Sequence, residues 1–380
     1  MKYLSDLASD DLKGKYVLLR LDLNVPILED GSVGDTYRLE KVIETIDFLR
    51  EKEARTIIIS HIEGGEKTLL PVWHYLNGFI PLEFSLTYFT PEAIDKLLNL
   101  KDKGVILFEN LRVNKGEKEN DPEFAKKLGA MAEIYVNDAF AVSHRKHASV
   151  SAVAEFLPHY GGLLLKQEIE HLSKVFNPDK PFLFILGGAK FDTKMPLIKK
   201  YLDKADYIFL AGALANNVYK ERGFEIGTSL ISDNVEGIKE IANSSKVLVP
   251  VDVTVKGADG EISFKKMGEL LPDDYIMDAG PETLGQLKKL LDESRTILWN
   301  GPLGNYELGF ADKTEQLAKM IAEKTASDPS TTSIIGGGDT VASINKLGLN
   351  EKFTFLSTGG GAMLDYLVNE TLPGIQVLDK

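Results

Sequence analysis

The chain has 380 residues, which is enough for roughly two or three domains, and 43% of them are hydrophobic, as expected of a folded protein. The net charge of −13 argues against nucleic acid or an anionic membrane as a partner, so an anionic substrate would need a local basic pocket. Cysteine is absent, which excludes disulfides, thiolate metal sites and cysteine nucleophiles. The N-terminus has no apolar signal segment, and we expect a cytoplasmic protein.

Short apolar runs rich in β-branched and aromatic residues recur along the chain and predict strands that are buried on both faces. They cover residues 16–21, 56–60, 104–108, 133–137, 181–186, 206–210, 246–251, 295–299, 332–336 and 353–357. Segments with a helical apolar period lie between them, such as residues 38–53, where Leu39, Val42, Ile43, Ile46 and Leu49 form one stripe. This alternation predicts parallel α/β architecture.

So many strands would make one unusually wide sheet, and we therefore expect two doubly wound domains. The first covers residues 1–160. A helical stretch at 161–176, which begins at two glycines that form a candidate hinge, leads into the second domain at 177–364. Ligands of open parallel sheets bind beyond the carboxyl ends of the strands, so the loops there should carry the chemistry.

In the first half, these loops are rich in guanidinium groups and imidazoles. They contain Arg20, Asp22 and Asn24 after the first strand, Arg38 at a helix start, His61 after the second strand, Arg112 after the third, and His144, Arg145 and His147 after the fourth. Arginine binds phosphate and carboxylate through its planar fork, so the set predicts the local basic pocket that an anionic substrate requires.

Each of these residues also has a simpler explanation. Arg38 alone would be a solvated cation, and Arg20 beside Asp22 would be a structural ion pair. His144 and His147 are three residues apart, but no third ligand accompanies them, which argues against a metal site. For the set as a whole, the functional interpretation is the better one.

The second half has glycine-rich loops that lead from strands into helices. They lie at residues 187–194, with Lys190 and Lys194, at 334–340 and at 357–362. Glycines let backbone N–H groups approach an anion at a helix N-terminus, so the three loops predict a site for a nucleotide polyphosphate. Asp339 would suit Mg²⁺. Neither a P-loop motif nor a G-x-G-x-x-G motif is present.

Together these motifs resemble the phosphoglycerate kinase family along nearly the whole chain. The matching segments are VLLRLDLNVP at 17–26, GDTYR at 34–38, SH at 60–61, ENLR at 109–112, YVNDAF at 135–140, HRKHAS at 144–149, GGAK at 187–190, WNGPLGNYE at 299–307, GGGDT at 336–340 and STGGGA at 357–362. The resemblance implies two Rossmann-like, three-layer αβα domains that face each other across a cleft. It places the acid substrate on the first domain and Mg-nucleotide on the second, and it returns residues 365–380 to the first.

The resemblance also implies roles for individual residues. The acid would be bound by Asp22, Asn24, Arg38, His61, Arg112 and Arg145, and the nucleotide by Lys194, Gly212, Asn300, Glu307, Gly337, Gly338, Asp339 and Thr340, with Asp339 on Mg²⁺. The candidate catalytic residues are Arg38, Lys190 and Gly360. The implied reaction is the glycolytic transfer of a phosphoryl group between 1,3-bisphosphoglycerate and ADP, catalysed by a monomer. A related carboxylate kinase with another acid, and a nucleotide-binding protein with little catalysis, remain alternatives.

Two segments depart from the family pattern. The family reads SHLGRP after the second strand, and its arginine helps to hold the substrate phosphate, whereas Gly64 stands at that position here. Losing one charged contact would cost on the order of 1.5–3 kcal/mol of substrate binding. Residues 211–214, on the adenine side, are less glycine-rich than in the family, which leaves the choice between ATP and GTP open.

Overall fold

The structure, a computed structural model, describes residues 1–63, 67–233 and 236–380. The chain forms two compact units, one made of residues 1–170 and 369–380 and the other of residues 171–368. The division therefore lies inside the segment 161–176, and the returning segment begins four residues later than residue 365. Which ligand belongs to which unit stays a prediction.

The first unit contains a six-stranded parallel sheet. Its strands are β1 (Tyr16–Leu21), β2 (Arg55–Ile59), β3 (Glu83–Ser85), β4 (Val105–Phe108), β5 (Ile134–Asp138) and β6 (His159–Gly161), in the order β3-β4-β2-β1-β5-β6. Every residue of β4 and β5 is buried, as expected for strands covered on both faces.

The second unit contains a six-stranded parallel sheet and a smaller antiparallel sheet. Its strands are β7 (Phe182–Leu186), β8 (Tyr207–Leu210), β9 (Val247–Leu248), β10 (Asp252–Lys256), β11 (Ile262–Lys266), β12 (Tyr275–Ala279), β13 (Thr296–Asn300), β14 (Thr332–Gly336) and β15 (Phe355–Leu356). The parallel order is β15-β14-β13-β7-β8-β9, and the antiparallel order is β11-β10-β12. The predicted fold class, two α/β units built on parallel sheets, is confirmed.

Helices connect the strands. They are α1 (Ser9–Leu12), α2 (Tyr37–Glu51), α3 (Leu70–Asn77), α4 (Pro91–Asn99), α5 (Lys115–Lys118), α6 (Pro122–Gly129), α7 (Leu163–Ser173), α8 (Phe191–Leu202), α9 (Ala213–Glu221), α10 (Ile238–Asn243), α11 (Pro281–Glu293), α12 (Asp312–Ser327), α13 (Gly338–Lys346), α14 (Gly361–Asn369) and α15 (Pro373–Gln376). The predicted stripe of α2 packs into the core of the first unit. Among the described residues, no helix has both the length and the apolar character needed to cross a membrane.

The strand predicted at 246–251 is wrong beyond Leu248. Pro250 has no N–H to donate to a sheet, and the backbone N–H of Val251 donates instead to Thr283 Oγ1 at 3.1 Å. The chain then enters the antiparallel sheet. The sequence did not predict this sheet, because β11 is largely exposed and has no continuous apolar run. The turn at Gly257–Gly260 between β10 and β11 is a hairpin signal that could have revealed it.

The end of β5 is packed closely against the start of α7. Asp138 is buried, and its Oδ1 accepts a 2.8 Å hydrogen bond from the backbone N–H of Leu165, in the first turn of α7. A Cβ built on Gly162 would lie 2.2 Å from the same Oδ1, and the Gly162 N–H donates to Asn137 O at 2.8 Å. Glycine at 162 therefore serves this close approach within the first unit.

Replacing Gly162 by alanine should lower the stability of the first unit. The added methyl group has to displace a buried carboxylate, which we expect to cost about 1–3 kcal/mol of unfolding free energy. The measurement is urea unfolding monitored by circular dichroism. Gly285→Ala in α11 is the matched control, because a Cβ there meets nothing within 4 Å and should be neutral or stabilising. Equal effects of the two substitutions would contradict the close-approach argument.

The buried Asp138 carboxylate should also make stability depend on pH. Burial raises the pKa of Asp138 to about 6, and its Oδ2 has no hydrogen-bond partner among the described residues. Between the unfolded pKa near ~4 and this value, the native state holds the proton more tightly. Stability should therefore fall as pH rises from about 4 to about 6, and Asp138→Asn should lack this loss. Urea unfolding at pH 4.5 and 7.5 tests it, and parallel profiles for both proteins would contradict it.

Candidate active site

The predicted acid-binding residues lie at the carboxyl edge of the first sheet. Asp22 and Asn24 follow β1, His61 follows β2, Arg112 follows β4 and Arg145 follows β5. These four strands are neighbours in the sheet, in the order β4-β2-β1-β5. Because parallel strands end at one edge, residues far apart in sequence are brought together there.

Arg38, near the start of α2, is held by the loop after β1. Its Nη1 lies 3.1 Å from Asp22 Oδ2 and 3.0 Å from the carbonyl oxygen of Asn24, which accepts a hydrogen bond. The Arg38 side chain is 28% exposed. Arg38 is therefore not simply a solvated cation, because one edge of its guanidinium is fixed while part of the side chain remains accessible.

Arg20 has a role that the sequence did not reveal. Its guanidinium is buried, donates from Nε to Ser149 Oγ at 2.9 Å, and donates from Nη1 to the Leu21 carbonyl. Its Nη2 lies 3.2 Å from His61 Nδ1. The hypothesis of an ion pair between Arg20 and Asp22 is wrong, because Asp22 pairs with Arg38 instead.

These contacts determine the protonation state of His61. A guanidinium can only donate, so Nδ1 of His61 must accept and the ring proton must sit on Nε2. Burial, and then the charges of Arg20, Arg112 and Arg145, lower the pKa of His61 far below its ordinary value. The 3.8 Å approach of Nδ1 to Asp22 is consequently not a salt bridge. His61 is a neutral hydrogen-bond donor.

Glu63 links the remaining two predicted arginines. Its carboxylate lies 2.5 Å from Arg112 Nη1 and 3.6 Å from Arg145 Nη1. The neighbouring Gly64, where the family pattern has an arginine, lies outside the described residues. The sequence showed an acidic residue here but gave no indication of which side chains it contacts.

The two histidines that follow β5 also have partners in the first unit. His147 Nδ1 lies 3.8 Å from the buried carboxylate of Glu117, and burial followed by the nearby arginines lowers the pKa of His147 to about 4. Arg145 Nε donates to His144 Nε2 at 3.3 Å.

The predicted nucleotide-binding residues lie at the carboxyl edge of the second parallel sheet. The loops that carry them follow β7, β8, β13, β14 and β15, which are contiguous in the sheet. A cavity of about 240 Å³ opens beside this edge, and Gly212, Glu307 and Asp339 line it together with apolar side chains such as Leu303 and Met277. A mostly apolar cavity next to polar loops suits a purine beside its phosphates.

The two lysines of the loop after β7 have different surroundings. Lys190 is exposed and its ammonium has no ion-pair partner within the described ranges. Lys194 is partly buried, and its Nζ donates to the Gly187 carbonyl. Burial lowers the pKa of Lys194 to about 8, against an opposing contribution from Asp339.

The glycines in the loops after β14 and β15 have different surroundings. Gly337 has φ +101°, which favours glycine, and a Cβ there would lie 3.1 Å from the backbone nitrogen of Gly301. Gly338 begins α13, and the buried side chain of Asn300 lies 3.5 Å from the same Cβ position. Gly360 precedes α14, and a Cβ on it would meet nothing within 4 Å.

Asp339 fits a magnesium ligand. It lies in the first turn of α13, is exposed, and forms no ion pair with any described residue. Partial burial and then the charge of Glu307 raise the pKa of Asp339, against the effect of Lys194. The adjacent Thr340 Oγ1 is buried without a hydrogen-bond partner in the described part of the chain. A carboxylate without a protein partner suits a hard cation that also binds phosphate oxygens and water.

Comparisons with known proteins decide the family. The phosphoglycerate kinase family matches residues 4–370. The phosphoglycerate kinase of Dictyoglomus turgidum is 40% identical over 395 residues, covering 99% of this chain and 98% of its own. The chain belongs to the phosphoglycerate kinase family.

Solved structures of the family agree in fold. The phosphoglycerate kinase of Pyrococcus horikoshii OT3 has a TM-score of 0.87 at 31% identity and covers 100% of this chain and 98% of its own. The phosphoglycerate kinase of Coxiella burnetii has a TM-score of 0.82 at 34% identity, and the match covers 99% of this chain and 98% of its own. The resemblance inferred from the sequence is confirmed, while the roles of individual residues stay predictions.

The neutral state of His61 can be tested by the pH dependence of kcat/KM. Because its pKa lies far below 6.5, His61 should not titrate between pH 5.5 and 8. The profile of kcat/KM for the phosphorylated acid should then have the same shape in the wild type and in His61→Gln, although the variant is weaker throughout. The substrate phosphate, with its second pKa near ~6, would contribute the same inflection to both. An inflection that disappears in the variant would contradict a neutral His61.

Proposed function

We propose that the chain transfers a phosphoryl group reversibly between 1,3-bisphosphoglycerate and ADP, giving 3-phosphoglycerate and ATP, as a step of glycolysis. The observation that carries this proposal is the cationic edge of the first sheet. There Arg38, His61, Arg112 and Arg145 meet in a protein of net charge −13. Asp22 and Glu63 pair with only part of these donors, and Arg112 Nε has no hydrogen-bond partner among the described residues, so donors remain for a bound anion.

The acid would be bound by this edge. Arg38 presents the part of its guanidinium that Asp22 does not occupy, and His61 offers its Nε2–H. Arg112 and Arg145 offer guanidinium forks for phosphate or carboxylate oxygens. Asn24 is fixed in the same loop, because its Oδ1 accepts from the Glu63 N–H at 2.8 Å.

The nucleotide would be bound at the edge of the second sheet. We assign the base to the cavity beside Gly212, the ribose to Glu307 and the phosphates to Lys194, Asn300 and the loop 337–340. Asp339 would hold Mg²⁺, which neutralises phosphate charge when bound. Each assignment is a proposal that rests on the position of the residue and on family membership.

The chemistry requires alignment and charge neutralisation rather than proton transfer. The acceptor carboxylate has a pKa near ~4 and is already ionised at pH 7, so no general base is needed. We assign Arg38 and Lys190 to the negative charge of the transferring phosphoryl group. Gly360, whose loop is open, is a third candidate through its backbone N–H.

The remaining assignments concern partners and location. We propose that the protein acts as a monomer in the cytosol, on small molecules and without nucleic acid or membrane. Two plant relatives carry the word cytosolic in their names, those of Triticum aestivum and Nicotiana tabacum. The family comparisons do not favour a different carboxylate kinase or a nucleotide-binding protein without catalysis.

Substitution of Lys190 tests the proposed chemistry. Lys190→Ala should lower kcat by about 10²–10³-fold, as expected when one donor to transition-state charge is removed, and should change the KM values less. The measurement is a coupled assay with MgATP and 3-phosphoglycerate. Lys289→Ala in α11 removes a lysine that is also exposed and lies outside the predicted site, and it should have no effect.

Two outcomes would contradict the proposal. If the wild type binds MgATP in calorimetry but does not turn over 3-phosphoglycerate, the chain is a nucleotide-binding protein. If Lys190→Ala retains full kcat, Lys190 does not contact the transferring group.

A further inference from the structure

The carboxylate of Glu63 lies on the guanidinium groups that the substrate needs. It contacts Arg112 Nη1 at 2.5 Å and Arg145 Nη1 at 3.6 Å. Both arginines belong to the set assigned above to the acid. A carboxylate between two guanidinium groups has the same chemistry as a bound substrate anion.

Hydrogen bonds hold the backbone of Ile62 and Glu63. The Glu63 N–H donates to Asn24 Oδ1, and the Ile62 N–H donates to Asn110 Oδ1 at 3.3 Å. Asn110 Nδ2 donates to the carbonyls of Ile62 and Lys67, at 3.1 Å and 2.9 Å. These backbone hydrogen bonds place the Glu63 side chain beside the two arginines.

The Glu63 side chain, in contrast, has room to rotate away from the arginines. The Glu63 side chain is 56% exposed, so it can rotate into solvent without crossing packed side chains, whereas the Arg112 side chain is only 3% exposed. Arg112 Nε is buried and has no hydrogen-bond partner among the described residues. The guanidinium thus has unused donors that Glu63 does not satisfy.

Glu63 is charged under all assay conditions. Burial acts to raise its pKa, but the ion pairs with Arg112 and Arg145 outweigh burial and hold the pKa of Glu63 below its ordinary value. A permanently ionised carboxylate repels a phosphate at the same position.

We propose that Glu63 is an internal competitor for the phosphate of the acid substrate: it occupies Arg112 and Arg145 in the free protein and must rotate away before the phosphate binds. The inference rests on the proposed function, in that a phosphorylated acid is the ligand of this edge. On this proposal, Glu63 sets the affinity for the acid and does not affect the phosphoryl transfer step.

The test compares Glu63→Gln with the wild type in the coupled assay. Removing the charge should lower the KM for 3-phosphoglycerate by about three- to tenfold, the range for a partly exposed ion pair to two guanidinium groups. The values of kcat and of the KM for MgATP should not change. Sulfate should become a stronger competitive inhibitor against the acid by a similar factor. A purely structural role would raise the KM, because the arginines would lose a partner that positions them.

The matched control is Glu92→Gln in α4. Glu92 is also exposed and also forms an ion pair, at 3.5 Å with Lys96, so the two substitutions make the same change in net charge. Glu92→Gln should leave every constant unchanged. Equal effects of the two variants would show that net charge, rather than the position of Glu63, is responsible.

A binding measurement separates this inference from the proposed function. Calorimetry with inorganic phosphate, at saturating MgADP so that the nucleotide site is filled, should show tighter binding to Glu63→Gln than to the wild type. Tighter phosphate binding without turnover by either protein would refute the proposed reaction and support the competitor. Turnover by the wild type, with an unchanged or raised KM in Glu63→Gln, would refute the competitor alone.

Discussion

The hydrogen bonds of the buried Arg20 guanidinium organise the edge of the first sheet where we propose that the acid binds. A buried charge without partners would cost about 3–5 kcal/mol, and here Ser149 Oγ and the Leu21 carbonyl accept from it. Ser149 Oγ in turn donates to the Glu117 carboxylate at 2.7 Å. Through Ser149, the buried guanidinium is linked to a buried negative charge. Burial, and then the charge of Arg20, lower the pKa of His61, and the contact with Arg20 leaves the ring N–H on Nε2. The buried Arg20 therefore fixes which atom of His61 can donate to the proposed substrate.

The two predicted anion sites differ in the donors that they contain. The first combines guanidinium groups with nearby carboxylates such as Asp22 and Glu63. The second has glycine loops at helix starts, with Lys190 and Lys194 as its cations. Backbone N–H groups create no charge to be balanced when the site is empty. In keeping with this, the predicted phosphate loops at 187–194, 334–340 and 357–362 contain no arginine.

The sequence predicted the features of the fold that a local pattern of apolar residues encodes. Continuous apolar runs predicted all six strands of the second parallel sheet but only four of the first, since β3 and β6 have three residues each. The predicted acid-binding residues lie at one sheet edge, as the rule for parallel strands implies, while their roles stay predictions. The antiparallel sheet was missed because its exposed strand lacks such a run. The partners of Arg20 could not be predicted either, since Ser149 lies 129 residues away and a neighbouring aspartate was the nearer choice. The contact of Glu63 likewise depends on how Asn24 and Asn110 hold its loop, which no local pattern encodes.

One of the two departures from the family pattern falls in the segment after β2, where the family has residues for the acid. Asp22, Asn24 and Arg38 match the family, whereas the arginine of the SHLGRP pattern is replaced by Gly64 and the glycine before it by Glu63. In sequence, these two adjacent changes remove one positive charge and add one negative charge. If this segment binds the substrate phosphate, as proposed, the changed charge weakens the ground state and the transition state alike, and we expect a raised KM with an unchanged kcat. The residues proposed for phosphoryl transfer, Arg38 and Lys190, match the family at their positions.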